Sequence, residues 1–389
     1  MNASSPRSAN DRAIPIALFL GFIITGIVST VLGPILPVFM SRWSLDDAQG
    51  GLFFTTQFTG SMAGVGLSSL LLAKHGYRYT LAIGFFLTAV GIAGLNAAHP
   101  HAALVATAAY GCGYGLVTPS TNLCIAEMFS ARRSAALSLL NMTWGVGAIT
   151  CPIIILAGLR SNRLASVLLV TAAFALLLAL IFALLKFEPP AQSSAAEKIV
   201  AGETPAHPIH IPVALGLLFF LYVGTETSLS GWAAEQTRRV VGGPGSTITP
   251  MFFFAGLLSG RALAAALLTR INENPMVIAG LLLAASGNIA LLAATSRAQI
   301  ILGAIFAGLG LASLYPIFIA WLSKWYGQRA RKIGGAMFSL AAFGGATLPW
   351  FVGFVSKHAL SLRIGLLVPL TACFLMTVLV LLLRRQIVA

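Results

Sequence analysis

One acidic residue, Glu226, lies in the middle of an apolar stretch that is long enough to span a membrane. Counting about 1.5 Å per residue from Pro212 places it ~21 Å along a helix, slightly beyond the midplane of a ~30 Å hydrocarbon core. An ionisable group at that depth costs several kcal/mol unless it is paired or protonated, so its presence is a hypothesis of function. Glu226 could accept hydrogen bonds from substrate hydroxyls, or bind and release a co-transported proton. The alternative is a structural acid satisfied by its neighbours, which are Tyr222, Thr225, Ser228 and Arg261.

Further charged side chains lie within or at the ends of apolar stretches. Arg261 precedes Arg270 by nine residues, about 13 Å along a helix. A buried guanidinium needs carbonyl groups or an acid, so Arg261 could hold helix ends or the contact between halves, or bind an anion or substrate. Glu127, close to Arg132, fits either a conformational lock or a solvated helix end. The gating or structural charges that we predict are Glu127, Arg132, Arg261 and Arg329.

Amide, hydroxyl and aromatic side chains recur in the middle of the apolar stretches. Amides match pairs of neighbouring hydroxyl groups, and aromatic rings cover the C–H face of a sugar. Asn141 and Trp144 share a helical face because they are three residues apart, and Tyr222 and Glu226 share one because they are four apart. Each polar residue could instead join helices to one another in lipid. The predicted substrate-binding residues are Gln57, Asn122, Asn141, Trp144, Tyr222, Glu226, Tyr315 and Trp350.

The elements that must position these residues are membrane-spanning helices. Of the 389 residues, 58% are hydrophobic and 9% are charged, which is too few polar side chains for a soluble globule. A spanning helix needs roughly 20 apolar residues. We predict twelve spans, over residues 14–40, 48–73, 79–98, 102–127, 134–159, 164–186, 211–235, 247–270, 275–296, 298–323, 332–355 and 363–384.

A repeat with an offset of 197 residues divides the chain into two halves. Ile14-Pro15-Ile16-Ala17-Leu18 returns as Ile211-Pro212-Val213-Ala214-Leu215, and glycines and prolines such as Gly147 and Gly344 follow the same offset. Six spans per half make the repeat parallel, as in carriers whose halves rock about a central site. The expected domains are an N-terminal tail (1–12), a six-helix bundle (13–186), a polar linker (187–210), a second six-helix bundle (211–385) and a C-terminal tail (386–389).

The basic residues indicate the orientation of the chain. Fifteen Lys and Arg residues fall on the side shared by the termini, and eight fall on the opposite side. The positive-inside rule therefore predicts that both termini and the linker are cytoplasmic, in a multi-pass protein of the inner (plasma) membrane. The net charge of +14 is spread singly or in pairs, which argues against nucleic-acid binding.

Local motifs refine this prediction. The twelve spans in a parallel six-plus-six repeat resemble the major facilitator superfamily over the whole chain. Several segments resemble the fucose permease branch of its sugar carriers, namely Gly111-Cys112-Gly113-Tyr114-Gly115 with Pro119 and Asn122, Arg132-Arg133, Asn141-Met142-Thr143-Trp144-Gly145, Tyr222-Val223-Gly224-Thr225-Glu226, Gly260-Arg261 and Tyr315-Pro316.

The chain departs from this pattern at two places. The loop Ala73-Lys74-His75-Gly76-Tyr77-Arg78 keeps the glycine and bases of the superfamily motif but lacks its acid. The branch would also place acids in the first and fourth helices, where this chain has Ser29, Thr30 and Gly33, and Thr118. Proton coupling by that route is not expected.

These features together predict an all-α carrier of a small neutral polyol, in particular a monosaccharide, working by alternating access. Proton symport through Glu226 and facilitated uniport both remain open. The alternatives are an efflux carrier for apolar drugs or lipids, and a non-transporting membrane receptor. The expected partners are a sugar-like substrate, protons and the lipid bilayer, and we expect a monomer. No nucleotide-binding loop or metal-ligand spacing appears in the sequence, so neither a cofactor nor catalysis is predicted.

Overall fold

The computed structural model describes residues 9–185, 187, 209–326 and 330–387, and these residues form helices without strands. The helices of the N-terminal half are α1 (Ala9–Thr30), α2 (Leu32–Trp43), α3 (Asp47–Gly94), α4 (Pro100–Met128), α5 (Arg133–Arg160) and α6 (Leu164–Leu184). Those of the C-terminal half are α7 (His210–Val241), α8 (Thr249–Leu267), α9 (Glu273–Ala293), α10 (Arg297–Leu311), α11 (Leu314–Tyr326), α12 (Ala330–Ala359), α13 (Leu362–Gly365) and α14 (Leu367–Ile387). Most of the predicted linker, residues 187–210, lies outside the described residues.

The helices account for the twelve predicted spans. The first span is divided into α1 and α2, and the tenth into α10 and α11. The second and third spans merge into α3, which bends at Gly76, where a φ of 71° suits a residue without a side chain. Ten helices of the described chain are long and apolar enough to cross a membrane, α3 being counted once, and α4 supplies the remaining span. The predicted all-α, two-bundle fold is confirmed.

The repeat is visible in the backbone contacts. A Cβ atom on Gly147 would lie 2.0 Å from the carbonyl oxygen of Ile23, and one on Gly344 would lie 1.9 Å from that of Phe220. Both members of the second pair follow the first by 197 residues. The same glycine therefore allows the same close approach in each half, α5 onto α1 and α12 onto α7.

The largest contacts between the two halves are those of α3 with α12, α5 with α8 and α2 with α7. We call the end of the bundle where α1 begins the terminal end, and the opposite end the distal end. Distally, α3 and α12 touch, since a Cβ on Gly51 would lie 2.8 Å from Trp350, and one on Gly353 would lie 2.2 Å from Asp47. Towards the terminal end, Gly66 of α3 and Gly335 of α12 have no such neighbour within 4 Å. The halves are thus in close contact distally, whereas these two positions towards the terminal end face open space.

Candidate functional site

A cavity of about 260 Å³ lies between the halves, at the depth of Glu226. It is lined by α1, α2, α3, α4 and α5 from one half and by α7, α8 and α11 from the other. Seven of the eight predicted substrate-binding residues line it together, and so does Arg261. These residues are Gln57, Asn122, Asn141, Trp144, Tyr222, Glu226 and Tyr315.

Glu226 and Tyr222 form the C-terminal wall of the cavity. They are one helical turn apart on α7, and the Tyr222 hydroxyl donates to Glu226 Oε2 at 2.5 Å. The Tyr222 ring packs against that of Tyr315 with centroids 5.3 Å apart, which joins α7 to α11. Thr225 and Ser228, two alternatives for satisfying the acid, instead have buried hydroxyls without a hydrogen-bond partner among the described residues.

Trp144 connects the two halves across the cavity. Its indole Nε1 donates to Ser29 Oγ at 3.1 Å, within the N-terminal half. Its ring meets Phe254 of α8 edge-on at 6.0 Å, and the Arg261 guanidinium lies 6.0 Å from the ring centre. A cation over an indole face is attracted by the ring electrons. The aromatic surface at the site is therefore built from both halves.

The three amides of the cavity wall bind backbone carbonyls through their NH₂ groups. Gln57 Nε2 donates to the Ser29 carbonyl at 2.9 Å, whereas Asn122 and Asn141 each donate at 2.8 Å to a carbonyl one turn earlier in their own helix. An amide that donates in this way keeps its carbonyl oxygen as an acceptor. The amides and Glu226 thus offer acceptors for hydroxyl groups, and Arg261 offers donors.

Some cavity residues were not among the predicted binding residues. Tyr114 lines the cavity beside Thr118 on α4, and Phe54 and Phe58 line it from α3. Tyr114 lies inside the glycine-rich segment 111–115, where the aromatic residue between glycines was the available signal. The phenylalanines are indistinguishable in sequence from those that face lipid.

Trp350 does not line this cavity. Its ring packs on Phe354 of the same helix with centroids 5.3 Å apart, and its backbone approaches Gly51 where α12 meets α3. This contact is distal to the cavity. The structure therefore does not bring Trp350 to the predicted site, because α12 packs closely against α3 at this residue.

The predicted gating or structural charges that the structure describes lie at two different places, the terminal end and the cavity wall. Glu127 and Arg132 are both exposed at the terminal end, and they form no ion pair within the described chain. Glu127 interacts with the hydroxyl of Tyr77 instead. Arg261 lines the cavity rather than a helix end, and Arg329 lies outside the described residues.

A polar network joins the halves at the distal end, which the sequence analysis did not predict. Arg239 of α7 donates to both carboxylate oxygens of Asp47 and also to Glu235, and Ser356 of α12 donates to Asp47. Asp47 is buried, and the Glu235 side chain is 0% exposed. Beside this network lies a second ion pair across the halves, between Lys357 and Asp46 at 3.0 Å.

Burial raises the pKa of Asp46. The hydrogen bond from the Gln49 backbone and the neighbouring Lys357 ammonium lower the pKa, and together they outweigh burial, so the pKa falls below its ordinary value of 3.8. Asp46 also caps α3, since its carboxylate accepts from the Gln49 N–H at 2.8 Å. The second ion pair is consequently maintained at neutral pH. The acid is therefore both a helix cap and part of the interdomain contact.

Comparison with known proteins finds a family match and one curated relative. The family model described as Major Facilitator Superfamily matches residues 18–260. The glucose/mannose transporter GlcP of Bacillus subtilis (strain 168) is 24% identical over 365 residues, which cover 89% of this chain and 88% of that protein.

Solved structures show the same architecture. A bacterial homologue of the human lysosomal transporter Spinster, in an inward-facing and occupied conformation, matches with a TM-score of 0.76 and 19% identity over 98% of both chains. The fucose:proton symporter FucP of E. coli matches with a TM-score of 0.62 and 18% identity, covering 95% of this chain and 98% of that one. At these identities the similarity concerns the fold.

Proposed function

The chain belongs to the major facilitator superfamily, and from this we propose that it carries a monosaccharide or similar small polyol through the cavity between its halves by alternating access. The observation that carries the proposal is the convergence of seven mid-span polar and aromatic residues from both halves on one cavity. A site shared by the halves changes its exposure when they rock.

The chemistry of the wall fits a polyol. Three amide oxygens and the Glu226 carboxylate can accept hydrogen bonds from hydroxyl groups, while Trp144 and Tyr315 offer ring faces to C–H groups. A volume of about 260 Å³ is slightly below the range of small-molecule sites, which run from roughly 300 to 1,000 Å³. A small cargo is therefore favoured over a drug-sized one.

The relatives support the same substrate class. A curated protein described as a glucose/mannose transporter aligns along most of the chain, and a fucose:proton symporter shares its fold. Glu226 is the residue that we assign to substrate anchoring or to proton coupling. In symport it would load a proton from one side and release it on the other, whereas in uniport it would hold a substrate hydroxyl.

The orientation follows from the basic residues. Both termini and the linker are cytoplasmic in this proposal, and the protein works as a monomer in the inner membrane, with bundles over residues 13–186 and 211–385. The distal end then faces the outside. The described arrangement, closed distally, would be an inward-open state.

Uptake into proteoliposomes tests the proposal. We expect labelled hexose uptake by the wild type, and we expect Glu226→Gln to weaken it or to abolish its response to an imposed pH gradient. Glu273→Gln is the matched control, because Glu273 accepts from Trp321 Nε1 at 2.7 Å, outside the cavity, and a glutamine can still accept there.

Three results would count against the proposal or part of it. Equal uptake by Glu226→Gln and wild type, with and without the gradient, would remove Glu226 from the mechanism. Export of an apolar dye without hexose uptake would favour the efflux alternative, which the phenylalanines of the cavity wall otherwise support. Specific sugar binding without any flux would favour a receptor.

A further inference from the structure

Arg261 is a cation of the cavity wall that lacks an anionic partner. Its guanidinium lies against the ring of Trp144, and its Nε is buried without a hydrogen-bond partner among the described residues. A desolvated guanidinium normally takes a carboxylate or carbonyl group in a planar, two-bond arrangement. The Arg261 side chain lines the cavity, so a substrate group that enters the cavity can supply the guanidinium with the acceptor that it lacks.

Glu226 does not complete it. Although both side chains line the same cavity, they form no ion pair in the described structure. The Tyr222 hydroxyl interacts with both, since it donates a hydrogen bond to Glu226 and also takes part in a side-chain hydrogen bond with Arg261. The site therefore holds one acid and one base that share a tyrosine hydroxyl but form no direct ion pair.

We propose that the cavity accepts a sugar that bears a carboxylate, a uronate or aldonate, with the carboxylate on Arg261 and a co-transported proton on Glu226. The inference rests on the proposed function and specifies its substrate class. A carboxylate matches a single guanidinium in charge and geometry. A phosphate ester carries about two negative charges and would need a second cation, which the described cavity wall does not provide.

Charge balance supports this pairing. The empty cavity carries Arg261 as a cation and Glu226 as an anion, so its charges cancel. Loading a carboxylate together with one proton leaves the sum unchanged, because the proton neutralises Glu226 as the substrate anion pairs with Arg261. Loading a neutral sugar with a proton would instead leave a net positive charge in a low-dielectric site, which is costly. Electroneutral loading allows both the empty and the loaded carrier to change exposure.

The groups that face Glu226 are compatible with its protonation on loading. They are Tyr222 on its own helix, Tyr114 of α4, Tyr315 of α11 and Arg261 of α8. The three tyrosines are neutral donors or acceptors near neutral pH. Arg261 is the charged residue among them, and a substrate carboxylate bound to Arg261 would lie in the same cavity as the Glu226 carboxylate, where two anions repel each other. Binding of the anion and of the proton thus favour each other.

The test compares D-glucose with D-glucuronate, which share their ring hydroxyls and differ in the carboxylate. Uptake of each by proteoliposomes would be measured under an imposed pH gradient and, separately, under an imposed membrane potential. We expect glucuronate to compete with glucose, and its uptake to rise about tenfold with the pH gradient and to ignore the potential. Arg261→Gln should lower glucuronate uptake about tenfold more than it lowers glucose uptake, and Arg261→Lys should restore part of the glucuronate uptake. Arg160→Gln, an exposed arginine, is the matched control.

The outcomes separate the two proposals. Glucose uptake without competition by glucuronate, or glucuronate uptake that is equal in wild type and Arg261→Gln, would overturn this inference and leave the proposed function intact. Failure of the purified wild type to take up either compound would overturn the proposed function itself. If Arg261→Gln loses both substrates together while Arg261→Lys regains both, Arg261 is a structural residue and the inference fails.

Discussion

Arg239 of α7 donates hydrogen bonds to both carboxylate oxygens of Asp47, the first residue of α3, and this ion pair joins the two halves at the distal end. Glu235 holds the same guanidinium from within α7, with Nε to Oε1 at 2.7 Å. Ser356 of α12 also donates to Asp47. Two helices of the C-terminal half, α7 and α12, therefore bind the same carboxylate of the N-terminal half. Any distal opening must break these contacts. The network therefore stabilises the distally closed state relative to the open one.

Asp47→Asn should favour distal opening. Removing one partner of a buried ion pair costs up to about 3–5 kcal/mol, and the partial exposure of Arg239, 31% of its side chain, reduces that figure. We expect at least about a tenfold rise in labelling from the distal side, which corresponds to ~1.4 kcal/mol. The measurement is reaction of an impermeant thiol reagent with Thr227→Cys in the cavity wall, in a background without the four native cysteines.

Asp46→Asn is the control for that experiment. The Asp46–Lys357 pair also links the halves, but its side chains are 36% and 49% exposed, and exposed pairs contribute ~0–1 kcal/mol. Labelling should change little. If both substitutions raise labelling equally, the buried Asp47–Arg239 pair contributes no more to distal closure than the exposed Asp46–Lys357 pair. The special role of the Asp47 network in the closed state would then be wrong.

The pH dependence of transport should be independent of Asp46. Its pKa is lowered from 3.8, so the contribution of its charge to stability is fully present above that value and is lost as the pH falls through the lowered pKa. Between about pH 5 and 8 the group stays ionised. Asp46→Asn should therefore preserve the shape of the rate profile over this range. A profile that flattens in Asp46→Asn would mean that this acid takes part in the pH dependence after all.

Gly147→Ala and Gly344→Ala should destabilise the protein to a similar extent. The added methyl group would overlap the carbonyl of Ile23 or Phe220, and overpacking of this kind typically costs about 1–3 kcal/mol. Thermal unfolding in detergent measures the effect. The controls are Gly66→Ala and Gly335→Ala, helical positions with open space, where alanine should be neutral or stabilising by up to ~1 kcal/mol. Equal melting temperatures in all four variants would mean that the close approaches do not constrain the halves.

The sequence predicted the spans, and most of the predicted binding residues line the cavity, because both predictions depend on local patterns. Apolar length identifies a helix, and a polar residue in the middle of such a helix must turn towards protein or water, as Gln57, Asn122 and Glu226 do. The same reasoning assigned Trp350 to the site, whereas the structure places its ring against Phe354 and not in the cavity wall. An aromatic side chain is compatible with lipid, cavity or helix packing, so depth alone cannot choose among them.

The distal network could not be predicted from local patterns. Asp47 and Arg239 are 192 residues apart, and each alone is typical of a solvated helix end. Their pairing depends on how α3 and α7 meet, which no periodicity encodes. A signal was nevertheless present, since both charges follow spans that end on the same side of the membrane.

Tyr222→Phe should weaken substrate binding without disturbing the fold. The phenyl ring would keep the contact with Tyr315, at 5.3 Å between centroids, while the hydrogen bond to Glu226 is lost. Hydrogen bonds to charged groups contribute about 1.5–3 kcal/mol, so we expect the KM for transport to rise by roughly tenfold or more, with the maximal rate less affected. Tyr110→Phe, buried in α4 outside the cavity wall, is the matched control and should leave KM unchanged. Because both changes remove one hydroxyl, equal KM values in the two variants would mean that the orientation of the Glu226 carboxylate does not matter for the cargo. In that case the acid would act in the movement of the halves rather than in recognition.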